Sequence, residues 1–129
     1  MADNNYRVYA VAIMDDIFFA SKIREAASSA GLDIEFIKGA DELAATVFPG
    51  TPSLVIVDLG NKKINAMQLI GAIKGRDDLK GVRVIGYLPH VEKGLMKEAL
   101  DAGYDIVLPR SRFSLELIEI LSGIATVYD

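Results

Sequence analysis

Apolar positions fall into short continuous runs separated by longer amphipathic stretches, and the two kinds alternate along the chain. Tyr6–Met14 (YRVYAVAIM) is short and rich in Val, Tyr and Ile, the pattern of a buried strand. Asp16 stands where a helix cap is needed, ahead of a stretch, Ile17–Ala30, that puts Phe19, Ile23, Ala26 and Ala27 on one face. Lys22, Arg24 and Glu25 fall largely on the other face, and Gly31 closes the helix. Leu32–Ile37 (LDIEFI) alternates apolar and acidic residues and predicts a half-exposed strand. Asp41 is placed to cap a short helix through Val47, which Pro49-Gly50 stops.

The rhythm then repeats. Leu54–Leu59 (LVIVDL) is the most strand-like run of the chain, followed by a loop from Gly60 to Asn65 and a helix ending near Lys74. Val82–Leu88 predicts the next strand and Val91–Ala102 the next helix, closed by Gly103. Ile106–Leu108 is a short last strand, and Ser114 is placed to cap a final helix to about Ser122. Five βα units in succession predict an α/β fold, a parallel sheet with helices on both faces. Nothing along the chain reads as a linker, a repeat or a low-complexity tract, so residues 1–129 are expected to form one domain with a core of about 6–121.

Composition narrows the function classes. A chain of 129 residues that is 51% hydrophobic has ample material for one core, which excludes intrinsic disorder. Fourteen basic against 18 acidic residues leave a net charge of −4, no footprint for nucleic acid or an anionic membrane. Zero cysteines exclude disulfides, thiolate metal sites and a Cys nucleophile, and fit a reducing cytoplasm. A single histidine, His90, excludes His-rich zinc sites. The apolar run Tyr9–Met14 meets Asp15-Asp16 after six residues, too soon for an export signal or for a membrane span of about 20 residues.

In open parallel sheets, ligands sit outside the carboxyl ends of the strands. Those places hold Asp15-Asp16 after the first strand, Asp58 at the end of the third, Leu88-Pro89-His90 after the fourth and Pro109-Arg110-Ser111 after the fifth. Three carboxylates from adjacent strand ends would converge on one pocket and suit a hard cation such as Mg²⁺, which prefers oxygen ligands. The plainer reading is that Asp15 and Asp16 cap a helix and Asp58 opens a loop. Arg110 reads as a clamp on the carboxylates, a phosphoryl ligand or a surface charge. His90 reads as a pocket-rim group or a solvated loop residue. Lys62-Lys63 and Arg112 read as solvated. Phe18 and Phe19 are adjacent and cannot both face the core, so Phe18 is left to cover the pocket or a partner surface. Tyr104 and Phe113 are expected to pack around the last strand.

The acidic pair Asp15-Asp16, the VIVDL run ending in Asp58-Leu59 and the stretch ALDAGYDIVLPR from Ala99 to Arg110 resemble the receiver domain of two-component response regulators, over about Tyr6–Leu121. The resemblance implies a flavodoxin-like, doubly wound (βα)5 fold with five parallel strands. It implies that Asp58 accepts a phosphoryl group from a histidine kinase, and that Asp15, Asp16, Asp58 and the Gly60 carbonyl hold Mg²⁺, which offsets charge as the phosphoryl group approaches.

The chain also departs from the family pattern. The family's Ser or Thr at the end of the fourth strand falls on Leu88, or on Tyr87 with a slip of one residue. Its Lys-Pro at the end of the fifth strand falls on Arg110-Ser111, and Arg presents a planar fork in place of a point charge. Its aromatic switch residue falls on Val107, and Asn61-Lys62 and Ala66 replace the usual Met-Pro and Gly. The acceptor half of the machinery is present and the sensing half is altered, the pattern of an atypical or pseudo-receiver.

The leading expectation is a stand-alone, cytoplasmic phosphorelay signalling module, not an enzyme, with tyrosine and histidine positions Tyr87 and His90 and Ser111 at the pocket rim. With about seven residues after its last helix, its output would come from a partner: a histidine kinase or another signalling protein docked on the fourth helix, fifth strand and fifth helix. The alternative is an unphosphorylated interaction or scaffold domain in which Arg110 neutralises the carboxylates. A flavin or nucleotide binder is disfavoured, because the first βα turn, Met14–Ile17, has no Gly-rich phosphate loop and presents negative charge. No nucleophile–base pair at a usable spacing supports hydrolysis.

Overall fold

The computed structural model describes residues 8–127. Five strands, β1 (Tyr9–Ile13), β2 (Asp33–Ile37), β3 (Leu54–Asp58), β4 (Arg83–Leu88) and β5 (Ile106–Pro109), form one parallel sheet in the order β2-β1-β3-β4-β5. Five helices alternate with them: α1 (Ile17–Ala30), α2 (Ala40–Ala45), α3 (Ala66–Lys74), α4 (Lys93–Ala102) and α5 (Arg110–Val127). This is the doubly wound order whose strand reversal opens a crevice between β1 and β3. None of the described helices is long and apolar enough to cross a membrane.

The alternation of side chains along the strands divides the core into two layers. Val11, Ile13, Val55, Val57, Val84 and Leu88 pack with Leu43, Leu69, Ile70, Ile73 and Ala99 on the α2/α3/α4 side. Ala10, Ala12, Leu54, Ile56, Ile85 and Tyr87 pack with Phe19, Ile23, Phe113, Leu117 and Leu121 on the α1/α5 side. Each fully buried Leu, Ile or Phe among them contributes roughly 1.5–3 kcal/mol relative to its exposed state. β2 lies at an edge, and its Asp33-Ile34-Glu35-Phe36 stretch stays exposed or half-buried, as its acidic alternation predicts.

Local signals account for most element ends. Asp16 caps α1 by accepting from the Phe18 and Phe19 amides, and Gly31 ends it in the left-handed region at φ 72°. Asn65 caps α3 through the Gln68 amide. Four expectations are corrected. Asp41 does not cap α2; Gly39 is its cap residue, and Glu42 in the first turn reaches back to accept from the Lys38 amide at 2.8 Å. Ser114 does not start the last helix: α5 begins at Arg110, directly after Pro109 ends β5. That helix also runs beyond Ser122, to Val127. α4 begins at Lys93 rather than Val91. Tyr6 and Arg7, assigned to the first strand from sequence, lie outside the described residues.

A short 3₁₀ turn, Asp77–Leu79, precedes β4. Beside it, Arg76 pairs with Asp78 and donates to the Leu43 and Thr46 carbonyls at 2.7 and 2.9 Å, with its guanidinium over the Phe48 ring. One side chain thereby ties the end of α2 and the loop after it to the far end of α3.

Candidate functional site

The sheet topology brings the predicted acids to one edge. β1 and β3 are neighbours, with Ile13 opposite Val57, so Asp15 and Asp16 follow β1 at the level where Asp58 ends β3. Asp58 is half-buried, and its Oδ1 accepts from the Gly60 amide at 2.9 Å. Burial pushes the Asp58 carboxyl above its ordinary pKa, against the pull of the Gly60 amide and Arg110, and the charges of Asp15 and Asp16 add to the rise. The four groups therefore share one electrostatic neighbourhood.

The acids are already engaged by the protein's own donors. Asp16 gives Oδ1 to the α1 cap and Oδ2 to Arg110 Nη2 at 2.9 Å. The Phe19 amide is the main reason its carboxyl lies below the ordinary value, with Arg110 adding to the effect. Asp15 is exposed; Asn61 Nδ2 donates to its Oδ1 at 3.0 Å and Lys63 Nζ lies 3.5 Å from its Oδ2. Lys63, read from sequence as merely solvated, is thus an ion-pair partner, and Asn61 fixes the loop by also accepting from the Lys63 amide. Asn61 and Lys63 are site residues that sequence reasoning missed.

The donor chemistry tests the Mg²⁺ expectation. Both oxygens of Asp15 and of Asp16 are taken, and among the described residues no three His, Cys, Asp or Glu side chains are grouped to hold a metal ion. In this arrangement the residues do not fit a divalent cation.

The remaining predicted positions separate. Leu88 is fully buried in the α2/α3/α4 layer, opposite Pro109 in register. Val107 is buried in the same layer, opposite Gly86. Tyr87 is not at the rim but in the α1/α5 layer, stacked on Phe113 with centroids 5.1 Å apart and tilted against Phe19. Its hydroxyl is buried and has no hydrogen-bond partner among the described residues, and burial pushes its pKa upward. His90 is exposed. Tyr104 and Phe113 are buried, and the Tyr104 hydroxyl donates to the Ala66 carbonyl. Arg112, also read as solvated, pairs with Glu116 one turn along. Gly60 packs under Pro89: a Cβ there would meet Pro89 Cδ at 2.4 Å, so the loops after β3 and β4 touch only because residue 60 has no side chain.

Next to the acids, a cleft of about 380 Å³ opens between α1 and the start of α5, lined by Phe18, Phe19, Lys22, Pro89, Arg110, Ser111 and Ser114. Phe18 is 81% exposed on its rim, whereas Phe19 is buried with the Arg110 guanidinium 4.4 Å from its ring centroid. Ser114, far from capping a helix, faces Lys22 across the cleft.

No protein-family model and no curated protein sequence matches the chain. Solved structures do. A response regulator from Hahella chejuensis is 18% identical, with 95% of this chain and 98% of that one covered at a TM-score of 0.82. A response regulator receiver domain from Rhodospirillum rubrum is 15% identical, with 92% and 94% covered at 0.76. A chemotaxis response regulator of Vibrio cholerae is 14% identical, with 92% and 99% covered at 0.77. The chain has the fold of response regulator receiver domains.

Proposed function

We propose that the chain is a receiver-fold signalling module that acts by binding other signalling proteins, and that Arg110 and Lys63 do at its acidic edge what a divalent cation does in the proteins it resembles. The observation that carries this reading is the ion pair between Arg110 and Asp16 at 2.9 Å. A guanidinium bonded to the carboxylate both neutralises it and occupies the oxygen a metal would need. Leu88 and Val107 support the reading from a second direction. Both are buried, neither carries a polar group, and neither can draw on a phosphoryl group to move a helix. In this reading the module is not an enzyme, and its partner, a histidine kinase or another signalling protein, recognises its surface.

A second reading keeps Asp58 as phosphoacceptor, with Asp15, Asp16, Asp58 and the Gly60 carbonyl around Mg²⁺. One observation favours it: Asp58 Oδ2 accepts no hydrogen bond among the described residues. It requires Arg110 to leave Asp16. Incubation with a small phosphodonor and Mg²⁺, followed by intact mass, separates the two. The first reading expects no added mass. A gain of one phosphoryl group that is lost in Asp58→Ala establishes the second.

A further inference from the structure

The cleft between α1 and α5 lies beside the acidic edge, and its chemistry is of opposite sign. Lys22 has no carboxylate partner among the described residues; its ammonium meets only Ser114 Oγ, at 3.5 Å. Arg110 spends Nη2 on Asp16 and leaves Nε and Nη1 without an acceptor among the described residues. Two cations thus line one cleft in a chain whose net charge is −4, and Asp16 balances only one of them. Ser111 and Ser114 add two hydroxyl donors. Ser111 also belongs to the first turn of the 18-residue α5, the end of a helix that favours negative charge. The volume of about 380 Å³ lies in the range of small-molecule sites and exceeds the need of a bare inorganic anion. Phe18 and Pro89 supply apolar surface for whatever carries the charge.

We propose that this cleft is a binding site for an anionic group, phosphate or carboxylate, carried on an aromatic or apolar body. Lys22 and Arg110 hold the charge, Ser111 and Ser114 donate to its oxygens, and Phe18 covers the body. Asp58 is not among the residues that line the site, which shares only Arg110 with the acidic edge.

Titration of phenyl phosphate, benzoate and inorganic phosphate into the isotopically labelled full chain, followed by amide chemical shifts, tests this. Phenyl phosphate or benzoate is expected to shift the Phe18, Lys22, Ser111 and Ser114 amides saturably, and the tighter of the two identifies the head group. Inorganic phosphate is expected to bind at least about tenfold more weakly. Lys22→Glu, at an exposed helix position, is expected to weaken binding at least about tenfold, and Phe18→Ser to abolish the preference for the aromatic carrier. Lys22→Gln serves as the second variant, with a smaller loss in the same direction. The absence of saturable shifts with all three probes overturns the proposal. So does an affinity unchanged by Lys22→Glu and Lys22→Gln, or a set of shifts centred on Asp58 and Gly60. Because the phosphodonor experiment reads Asp58 alone, failure here leaves the proposed function standing, and the reverse holds too.

Discussion

Arg110 and Asp16, 94 positions apart in sequence, join the start of α5 to the start of α1 through a single 2.9 Å contact from Nη2 to Oδ2. The same guanidinium lies over the Phe19 ring, so it is held by charge on one side and by an aromatic face on another. Removing it frees one Asp16 oxygen and raises the negative potential at Asp58. Arg110→Ala is therefore expected to bind Mg²⁺ more tightly than the wild type. The pair is 40% and 33% exposed, so solvent screening holds the gain to about 1 kcal/mol, roughly fivefold in affinity. Calorimetric titration checks it; tighter binding by the wild type contradicts it.

Asp58 has a raised pKa, first from burial and then from its acidic neighbours. An acid whose folded pKa exceeds its unfolded value of 3.8 binds more protons when folded. Its contribution to stability therefore falls as pH rises from 3.8 through the folded value. Asp58→Asn keeps an acceptor for the Gly60 amide and removes the charge. It is expected to be more stable than the wild type at pH 7, by about 1 kcal/mol, with the gap closing as pH falls below 3.8. Denaturant midpoints at the two pH values measure this, and a gap independent of pH counts against it.

The Tyr87 hydroxyl is buried without a partner among the described residues, while its ring stacks on Phe113. Deleting a group that makes no hydrogen bond removes a desolvation penalty and leaves the packing intact. Tyr87→Phe is expected to match or exceed wild-type stability, within about 1 kcal/mol. Tyr87→Ala, which empties the space between Phe19 and Phe113, is expected to cost about 3–5 kcal/mol, by analogy with other large aromatic truncations. Thermal unfolding of both variants distinguishes the ring's role from the hydroxyl's.

A phosphoryl mimic held at Asp58 is expected to leave α4 and α5 almost unmoved. Leu88 offers only apolar contact, and the β-branched Val107 has no second rotamer that exchanges a buried site for an exposed one. A modification with no differential interaction between two states shifts neither. Amide shifts confined to the loops around Asp15, Asp58 and Gly60 agree with this. Large shifts across Lys93–Ala102 reveal a switch working through other residues.

Legibility in the sequence followed the range of the interaction. Runs such as LVIVD, continuous and β-branched, announced their strand because burial on both faces leaves no other composition. The acids were legible because strand ends in a parallel sheet point to one edge. Ser114 misled because a hydroxyl ahead of an amphipathic stretch resembles a cap, whereas α5 has already begun at Arg110, directly after β5. Asn61 and Lys63 were hidden among several loop polar residues, since the turn at Asp58–Lys63 decides which of them reach Asp15. The meeting of Lys22 and Ser114 depends on how α1 and α5 pack, across 92 positions, and no local pattern encodes it.

The hold of Arg76 on the Leu43 and Thr46 carbonyls bears on the order in which the chain assembles. A helix of six residues has too few internal bonds to outlast its own nucleation cost. Its closing acceptors are satisfied by a side chain 30 and 33 positions downstream, so α2 gains its partner only once β3 and α3 have been laid down. Amide exchange in α2 is therefore expected to be faster than in the strands at the acidic edge, and faster still in Arg76→Ala.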